Sequence, residues 1–200
     1  MISPQKFAQR LQALQADGWR TITAATLAAH IATGEPLPPK TMVITIDDGR
    51  VDGYTYAFPI LQRLGFVATY YVITSRIGRT HYLSVAQLQE MDHAGMEIGN
   101  HTLHHQGIHG RTDAYYLDEV NAAQAQLTSW LGSAPVTFAY PFGLHPNGLV
   151  QAVKSAGLRL AFTTTAGHFE DFGTRFLTPR MRLGASLSPS QVVWKMDHLR

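Results

Sequence analysis

In the stretch Met42-Val43-Ile44-Thr45-Ile46-Asp47-Asp48-Gly49, an apolar run rich in β-branched residues stops at two aspartates and a glycine. Such a run favours a buried strand, and this one delivers two carboxylates to its C-terminal end. In α/β proteins the C-terminal ends of parallel strands are where binding and catalytic sites are built. The same pattern is also typical of a turn in which aspartate caps the next helix and glycine supplies an unusual backbone angle.

Outward from this stretch, helix and strand patterns alternate along the whole chain. Repeated strand–helix units predict a mostly parallel sheet with helical cover. Residues suited to catalysis or metal binding follow several different strands. In a barrel, the C-terminal ends of these strands converge on one mouth. We therefore expect a single α/β domain over residues 1–200, folded as a distorted or incomplete (β/α) barrel of about seven parallel strands. The predicted strands are 19–22, 41–46, 66–73, 96–98, 136–140, 158–164 and 176–177.

A histidine pair follows another of these strands, in Gly99-Asn100-His101-Thr102-Leu103-His104-His105. His101 and His105 are four residues apart, so both imidazoles can reach one ion. The spacing alone is weak in a chain with ten histidines, and it gains weight because Asp48 also follows a strand. One carboxylate and two imidazoles suit a divalent metal with positions left open for water. Asp47 beside them is a natural general base.

Two later segments have both a structural and a functional interpretation. Phe138-Ala139-Tyr140-Pro141-Phe142-Gly143 is a strand end with a forced turn. It supplies either core aromatic residues or a wall of the cleft with a backbone N–H exposed to an oxyanion. Arg180 follows the last short strand, and a surface position and a pairing with Asp47 are equally compatible with the sequence.

Composition restricts the possible functions. The formal net charge is only +2 and no basic block occurs, so nucleic acid is not an expected partner. The chain lacks cysteine, so a metal must be held by His, Asp or Glu. No apolar run reaches transmembrane length. The N-terminus has no export-signal pattern, which fits a cytoplasmic protein or the trimmed form of a periplasmic or secreted one.

Taken in order, these segments resemble the polysaccharide deacetylases of carbohydrate esterase family 4, also called the NodB-homology domain. Residues 45–49 resemble the family's T-F-D-D-G motif, with Ile46 in place of Phe. Residues 101–105 match its H-[ST]-x-x-H motif, and residues 138–143 match F-A-Y-P-[YF]-G. The resemblance spans roughly residues 41–182 and is greatest to the poly-N-acetylglucosamine deacetylase subgroup.

The resemblance implies a role for each matching residue. Asp48, His101 and His105 would bind a divalent metal, with zinc expected, and Asp47 would act as the base. The backbone N–H of Phe142 would stabilise the oxyanion. Arg180 would stand beside Asp47, in place of the arginine that most of the family has where this chain has Ala139. The implied reaction removes acetyl groups from an N-acetylated glycan or oligosaccharide.

The resemblance does not identify the catalytic acid, and it leaves alternative functions to be weighed. The family's late Leu-x-His segment is absent, and the subgroup's acidic histidine lies before the first helix, earlier than Met1 of this sequence. His145 and His168 are poor replacements. An ester needs less help from an acid, so an O-acetyl esterase or another C–N hydrolase is one alternative. A non-catalytic carbohydrate-binding relative is another, although a pure metal site has no need of Asp47. A two-carboxylate magnesium site for phosphoryl transfer would leave both histidines unexplained.

Overall fold

Seven parallel strands form two sheets in a computed structural model that describes residues 2–167 and 174–198. The first two strands pair with each other, and the other five pair in the order of the sequence, β3-β4-β5-β6-β7. The five-stranded sheet forms a half-barrel, which confirms the predicted distorted (β/α) barrel. The strands are β1 (Arg20–Ile22), β2 (Thr41–Val43), β3 (Thr45–Ile46), β4 (Thr69–Val72), β5 (Glu97–Asn100), β6 (Thr137–Ala139) and β7 (Leu160–Phe162).

Helices connect and cover the strands. Side-chain caps define several of their first turns, because a serine or threonine oxygen accepts a free backbone N–H there. Ser84 and Gln87 form a capping box at the start of one helix, as the order of these residues in the sequence predicts. No helix in residues 2–167 or 174–198 is long and apolar enough to cross a bilayer. The helices are α1 (Pro4–Ala16), α2 (Ala24–Thr33), α3 (Phe58–Arg63), α4 (Val85–His93), α5 (Asp113–Leu131), α6 (Asn147–Ser155) and α7 (Pro189–Asp197).

Three predicted elements differ from those observed. The strand predicted at 41–46 is divided at Ile44, because its first half pairs with β1 and its second half with β4. The sequence pattern of residues 52–64 predicts one helix that Pro59 starts or kinks; the structure has a π-helical turn over Gly53–Ala57 followed by α3, with Pro59 in the first turn, where its missing N–H costs nothing. The strand predicted at 176–177 is reduced to one bridge between Phe162 and Thr178.

The N-terminal ends of the strands are closed by α2. Thr69 and Glu97 begin β4 and β5, and their side chains accept the N–H groups of Ala24 at 2.9 Å and Ala25 at 2.7 Å. The Thr69 hydroxyl also donates to Glu97 at 2.8 Å, and Thr137 at the start of β6 donates to the same carboxylate. Burial raises the pKa of Glu97. This end of the half-barrel is therefore occupied, and the opposite end carries the candidate site.

Candidate active site

Asp48, His101 and His105 meet at the C-terminal ends of β3 and β5. Oδ1 of Asp48 lies 3.6 Å from Nε2 of His101 and 3.8 Å from Nε2 of His105. One donor atom from each residue lies within 4.8 Å of the other two. Two nitrogens and one oxygen at this spacing can converge on a single small cation. The structure thus brings together the three ligands that the sequence suggested.

The tautomer of His101 is fixed by a backbone carbonyl. Its imidazole is buried, and Nδ1 lies 2.6 Å from the oxygen of Ala139 at the end of β6. Because a carbonyl oxygen can only accept, Nδ1 carries the proton and donates it. With Nδ1 engaged by the carbonyl, Nε2 is the nitrogen that faces Asp48 and is left to bind a cation, which is the arrangement typical of histidine ligands.

Burial and charge favour the ligand forms of the other two residues. Desolvation, aided by the charge of His101, lowers the pKa of His105 to about 4, so its ring is neutral at neutral pH. The interaction with His101 is the largest cause that lowers the pKa of Asp48, and the charges of His105 and Arg76 add to it. An ionised carboxylate beside a neutral His105 imidazole suits a cation, because metal ligands must be deprotonated.

The loop between the two histidines has a strained backbone that side chains stabilise. Thr102 and His105 have φ of 67° and 58°, a region that residues other than glycine rarely adopt. The Thr102 N–H donates to Oδ1 of Asn100 at 2.9 Å, and the His105 N–H donates to Oγ1 of Thr102 at 2.9 Å. The Asn100 amide donates in turn to the carbonyl of Val120 on α5 at 3.1 Å. Sequence analysis gave Asn100 no role.

Glu119 on α5 is a second residue that sequence analysis missed. Its buried carboxylate accepts the His104 N–H at 2.9 Å, and its other oxygen lies 2.7 Å from Nδ1 of the same residue. Its carbonyl accepts the Leu103 N–H at 3.0 Å. A signal was present, because Tyr116, Val120, Ala123 and Leu127 recur at helical spacing and predict a helix with one apolar face. Glu119 lies three residues after Tyr116 and four before Ala123, on that face. A charged residue on such a face needs a partner.

Asp47, the neighbour of Asp48 in the sequence, pairs with Arg180. The guanidinium donates to both carboxylate oxygens at 2.8 Å each, a bidentate arrangement. It also donates to Oγ1 of Thr45 at 3.1 Å and to the carbonyl of Thr163 at 2.8 Å. Arg180 therefore connects β3 to the segment that follows β7. Of the two interpretations of Arg180, the structure supports the pairing with Asp47.

Phe142 forms a wall beside His105. Its ring is 64% exposed and lies 4.5 Å from the imidazole of His105, centre to centre. The Pro-Phe-Gly turn places Phe142 at φ 57°. His145, which follows it, is exposed, and its Nδ1 donates to the Gly143 carbonyl at 2.9 Å. His168, the other weak candidate for the acid, lies outside the described residues.

Comparisons with known proteins identify the family of this chain. Residues 34–161 match the family model described as polysaccharide deacetylase. The chain is 25% identical over 189 residues to a putative polysaccharide deacetylase, YxkH, of Bacillus subtilis, and the alignment covers 94% of this chain and 68% of that protein. It is 24% identical over 176 residues to a poly-beta-1,6-N-acetyl-D-glucosamine N-deacetylase of Staphylococcus aureus, covering 81% of this chain and 60% of the relative. The match thus spans well under two thirds of the staphylococcal relative.

Two solved structures superpose closely on this fold. The Streptococcus pyogenes deacetylase PplD, in complex with acetate, gives a TM-score of 0.93 at 25% identity, covering 98% of this chain and 87% of that one. IcaB from Ammonifex degensii gives a TM-score of 0.87 at 26% identity, covering 98% and 89%.

Proposed function

We propose that this chain, which belongs to the polysaccharide deacetylase family, is a metal-dependent hydrolase that removes acetyl groups from N-acetylated sugars of a polysaccharide or oligosaccharide. The observation that carries the proposal is that a set of metal-donor residues and a candidate general base lie together at one end of the half-barrel. Asp48, His101 and His105 form a donor cluster, and an arginine-held carboxylate, Asp47, precedes Asp48 directly. The N-deacetylase named among the relatives favours an amide over an ester substrate.

The donor set fits a divalent metal with nitrogen and oxygen ligands. Asp48 offers one oxygen, and His101 offers Nε2 because its Nδ1 donates to the Ala139 carbonyl. His105 needs no deprotonation at neutral pH, since its pKa is about 4. Zinc is the ion that such a set favours among those without redox chemistry. When bound, the metal would acidify water and polarise a carbonyl group.

Asp47 takes the proton from the attacking water. Its two oxygens are fixed by Arg180, so the carboxylate is oriented before the substrate arrives. The water oxygen bonds to the acetyl carbon, the carbon–nitrogen bond breaks, and acetic acid leaves and ionises to acetate in solution. The leaving amine needs one proton, and Asp47 holds the one removed from water, so the reaction balances.

Phe142 contributes through its backbone and its ring. The backbone N–H donates to the oxyanion that develops on the acetyl carbonyl oxygen. The exposed ring beside His105 provides an apolar wall for the acetylated sugar. Pro141 and Gly143 flank it and fix the turn in which Phe142 has positive φ.

Acetate release from N-acetylglucosamine oligomers by the zinc-loaded protein tests the proposal. We expect the parent to release acetate, and Asp47→Asn to retain the metal but lose turnover. His101→Ala combined with His105→Ala should abolish metal binding. The matched control is Asp118→Asn, an exposed aspartate on α5, which should behave as the parent. A metal-loaded parent that releases no acetate, or an Asp47→Asn variant as active as the parent, would overturn the proposal.

A further inference from the structure

A short antiparallel ribbon begins immediately after Asp48. The Leu83 N–H donates to the Gly49 carbonyl and the Val51 N–H donates to the His81 carbonyl, each at 3.0 Å. Arg50 therefore lies opposite Tyr82. Because Asp48 directly precedes Gly49, this ribbon starts at the proposed metal cluster.

Arg76 reaches the same tyrosine from a second direction along the chain. Its Nη1 donates to the Tyr82 hydroxyl at 2.6 Å. The guanidinium carbons of Arg76 and Arg50 lie 5.4 Å and 5.9 Å from the centre of the Tyr82 ring. Both distances are within the range of cation–π attraction. We call Arg50, Arg76 and Tyr82 the arginine rim.

The segments that carry the arginine rim are joined by backbone hydrogen bonds to both parts of the donor cluster. Arg76 ends a 3-10 turn whose backbone is bonded to the histidine loop. The Thr74 N–H donates to the Thr102 carbonyl at 3.3 Å, and the Ser75 N–H donates to the Leu103 carbonyl at 3.0 Å. One side of the rim is thus attached to the Asp48 strand end and the other to the loop that carries His101 and His105.

The positive charge of the arginine rim is poorly compensated. Arg50 has only a long contact of 3.8 Å with the partly exposed Asp52, and Arg76 forms no ion pair with any residue in 2–167 or 174–198. A divalent cation held by one carboxylate would add charge of the same sign, which an incoming anion would offset.

We propose that the arginine rim is a subsite for an anionic substituent of the glycan, a carboxylate or a phosphodiester, next to the sugar that is deacetylated. The inference rests on the proposed function and specifies its substrate class. Arginine is suited to this role because its planar fork matches both anions. Tyr82 holds the two guanidinium groups in place before the glycan binds.

Binding of three oligosaccharides to the zinc-loaded protein tests the inference. One is a neutral N-acetylglucosamine tetramer, the second alternates N-acetylglucosamine with N-acetylmuramic acid and so carries carboxylates, and the third carries a phosphodiester. Calorimetry at low and high salt gives the ratio of the affinities for each anionic probe and the neutral one. We expect a ratio above one that falls with salt. Arg50→Gln and Arg76→Gln should each reduce it roughly three- to fivefold, as expected for partly exposed ion pairs.

The control variant is Arg63→Gln, which removes the same charge from an exposed position on α3 and should leave the ratio unchanged. A ratio of one for both anionic probes, or an equal loss in Arg63→Gln, overturns the inference.

Acetate release from the neutral tetramer separates this result from a failure of the proposed function. If neither class of glycan is deacetylated but the ratio and its dependence on Arg50 and Arg76 hold, the subsite stands and the proposed function fails. A gain for only one anionic probe identifies which anion the subsite accepts.

Discussion

Replacing Glu119 with alanine should weaken metal binding about 10- to 100-fold, although Glu119 is not one of the proposed ligands. Its carboxylate accepts the His104 N–H at 2.9 Å within the loop that joins His101 to His105. A hydrogen bond to a charged group contributes about 1.5–3 kcal/mol. Since about 1.4 kcal/mol is a factor of ten, losing this bond accounts for the whole expected effect. The contact with the His104 ring adds less, because that side chain is 53% exposed.

Competition with a chelator of known affinity measures this effect directly. Glu119→Gln keeps one acceptor oxygen and should recover most of the affinity. Leu127→Ala on the same helix should lower the free energy of unfolding by about 2–5 kcal/mol and leave metal affinity unchanged, because Leu127 lies in a core cluster away from the histidine loop. The reasoning is refuted if Glu119→Ala binds metal as tightly as the parent, or if Leu127→Ala loses as much affinity.

Three further predictions concern stability. A β-carbon at Gly99 would overlap the Tyr71 ring, so Gly99→Ala should cost about 1–3 kcal/mol and lower the melting temperature in calorimetry; an unchanged melting temperature would contradict this packing. Burial raises the pKa of Glu97 above its usual 4.5, so its stabilising contribution is present below about pH 4.5 and is lost as the pH rises through the folded-state pKa. In Glu97→Gln, the urea midpoint of unfolding should lose this dependence on pH. The same pH dependence in the variant and the parent would contradict the prediction. The pKa of His105 is lowered from 6.5 to about 4. In the metal-free protein, its contribution to the free energy of unfolding is therefore present above pH 6.5 and is lost as the pH falls towards 4. The stability of His105→Gln should depend less steeply on pH over that range, and a steeper dependence would contradict the assignment.

The predictable part of the site is the part that lies at strand ends. Asp48 is the second residue after β3 and His101 the first after β5, so the parallel sheet alone places them at one edge. Arg180 was only half predictable. A residue that follows a single bridge to β7 has no strand to fix it, and its pairing with Asp47 depends on how far the half-barrel closes.

The residues that support the loop were not predictable from motifs, because their partners are distant in sequence. Asn100 supports the histidine loop and donates to the carbonyl of Val120 on α5, about twenty residues away. Glu119, which lies on α5 itself, accepts the N–H of His104 in the loop. Only the position of α5 against β5 brings these groups together. The position of Glu119 on the apolar face of α5 is a signal for burial, but it does not indicate which backbone groups the carboxylate binds.

Backbone strain connects the predicted and the missed residues. Six residues other than glycine have positive φ within 2–167 and 174–198, and four of them are Asp48, Thr102, His105 and Phe142. Each such residue costs roughly 1–2 kcal/mol, and glycine would avoid that cost but supply no ligand, hydroxyl or ring. Strain of this kind persists only where the surroundings enforce it, and the loop contacts of Asn100 and Glu119 do so for the two positions in the histidine loop. This is why we expect Glu119→Ala to act on metal binding: without its contact, the loop can relax towards negative φ and move His105 away from Asp48.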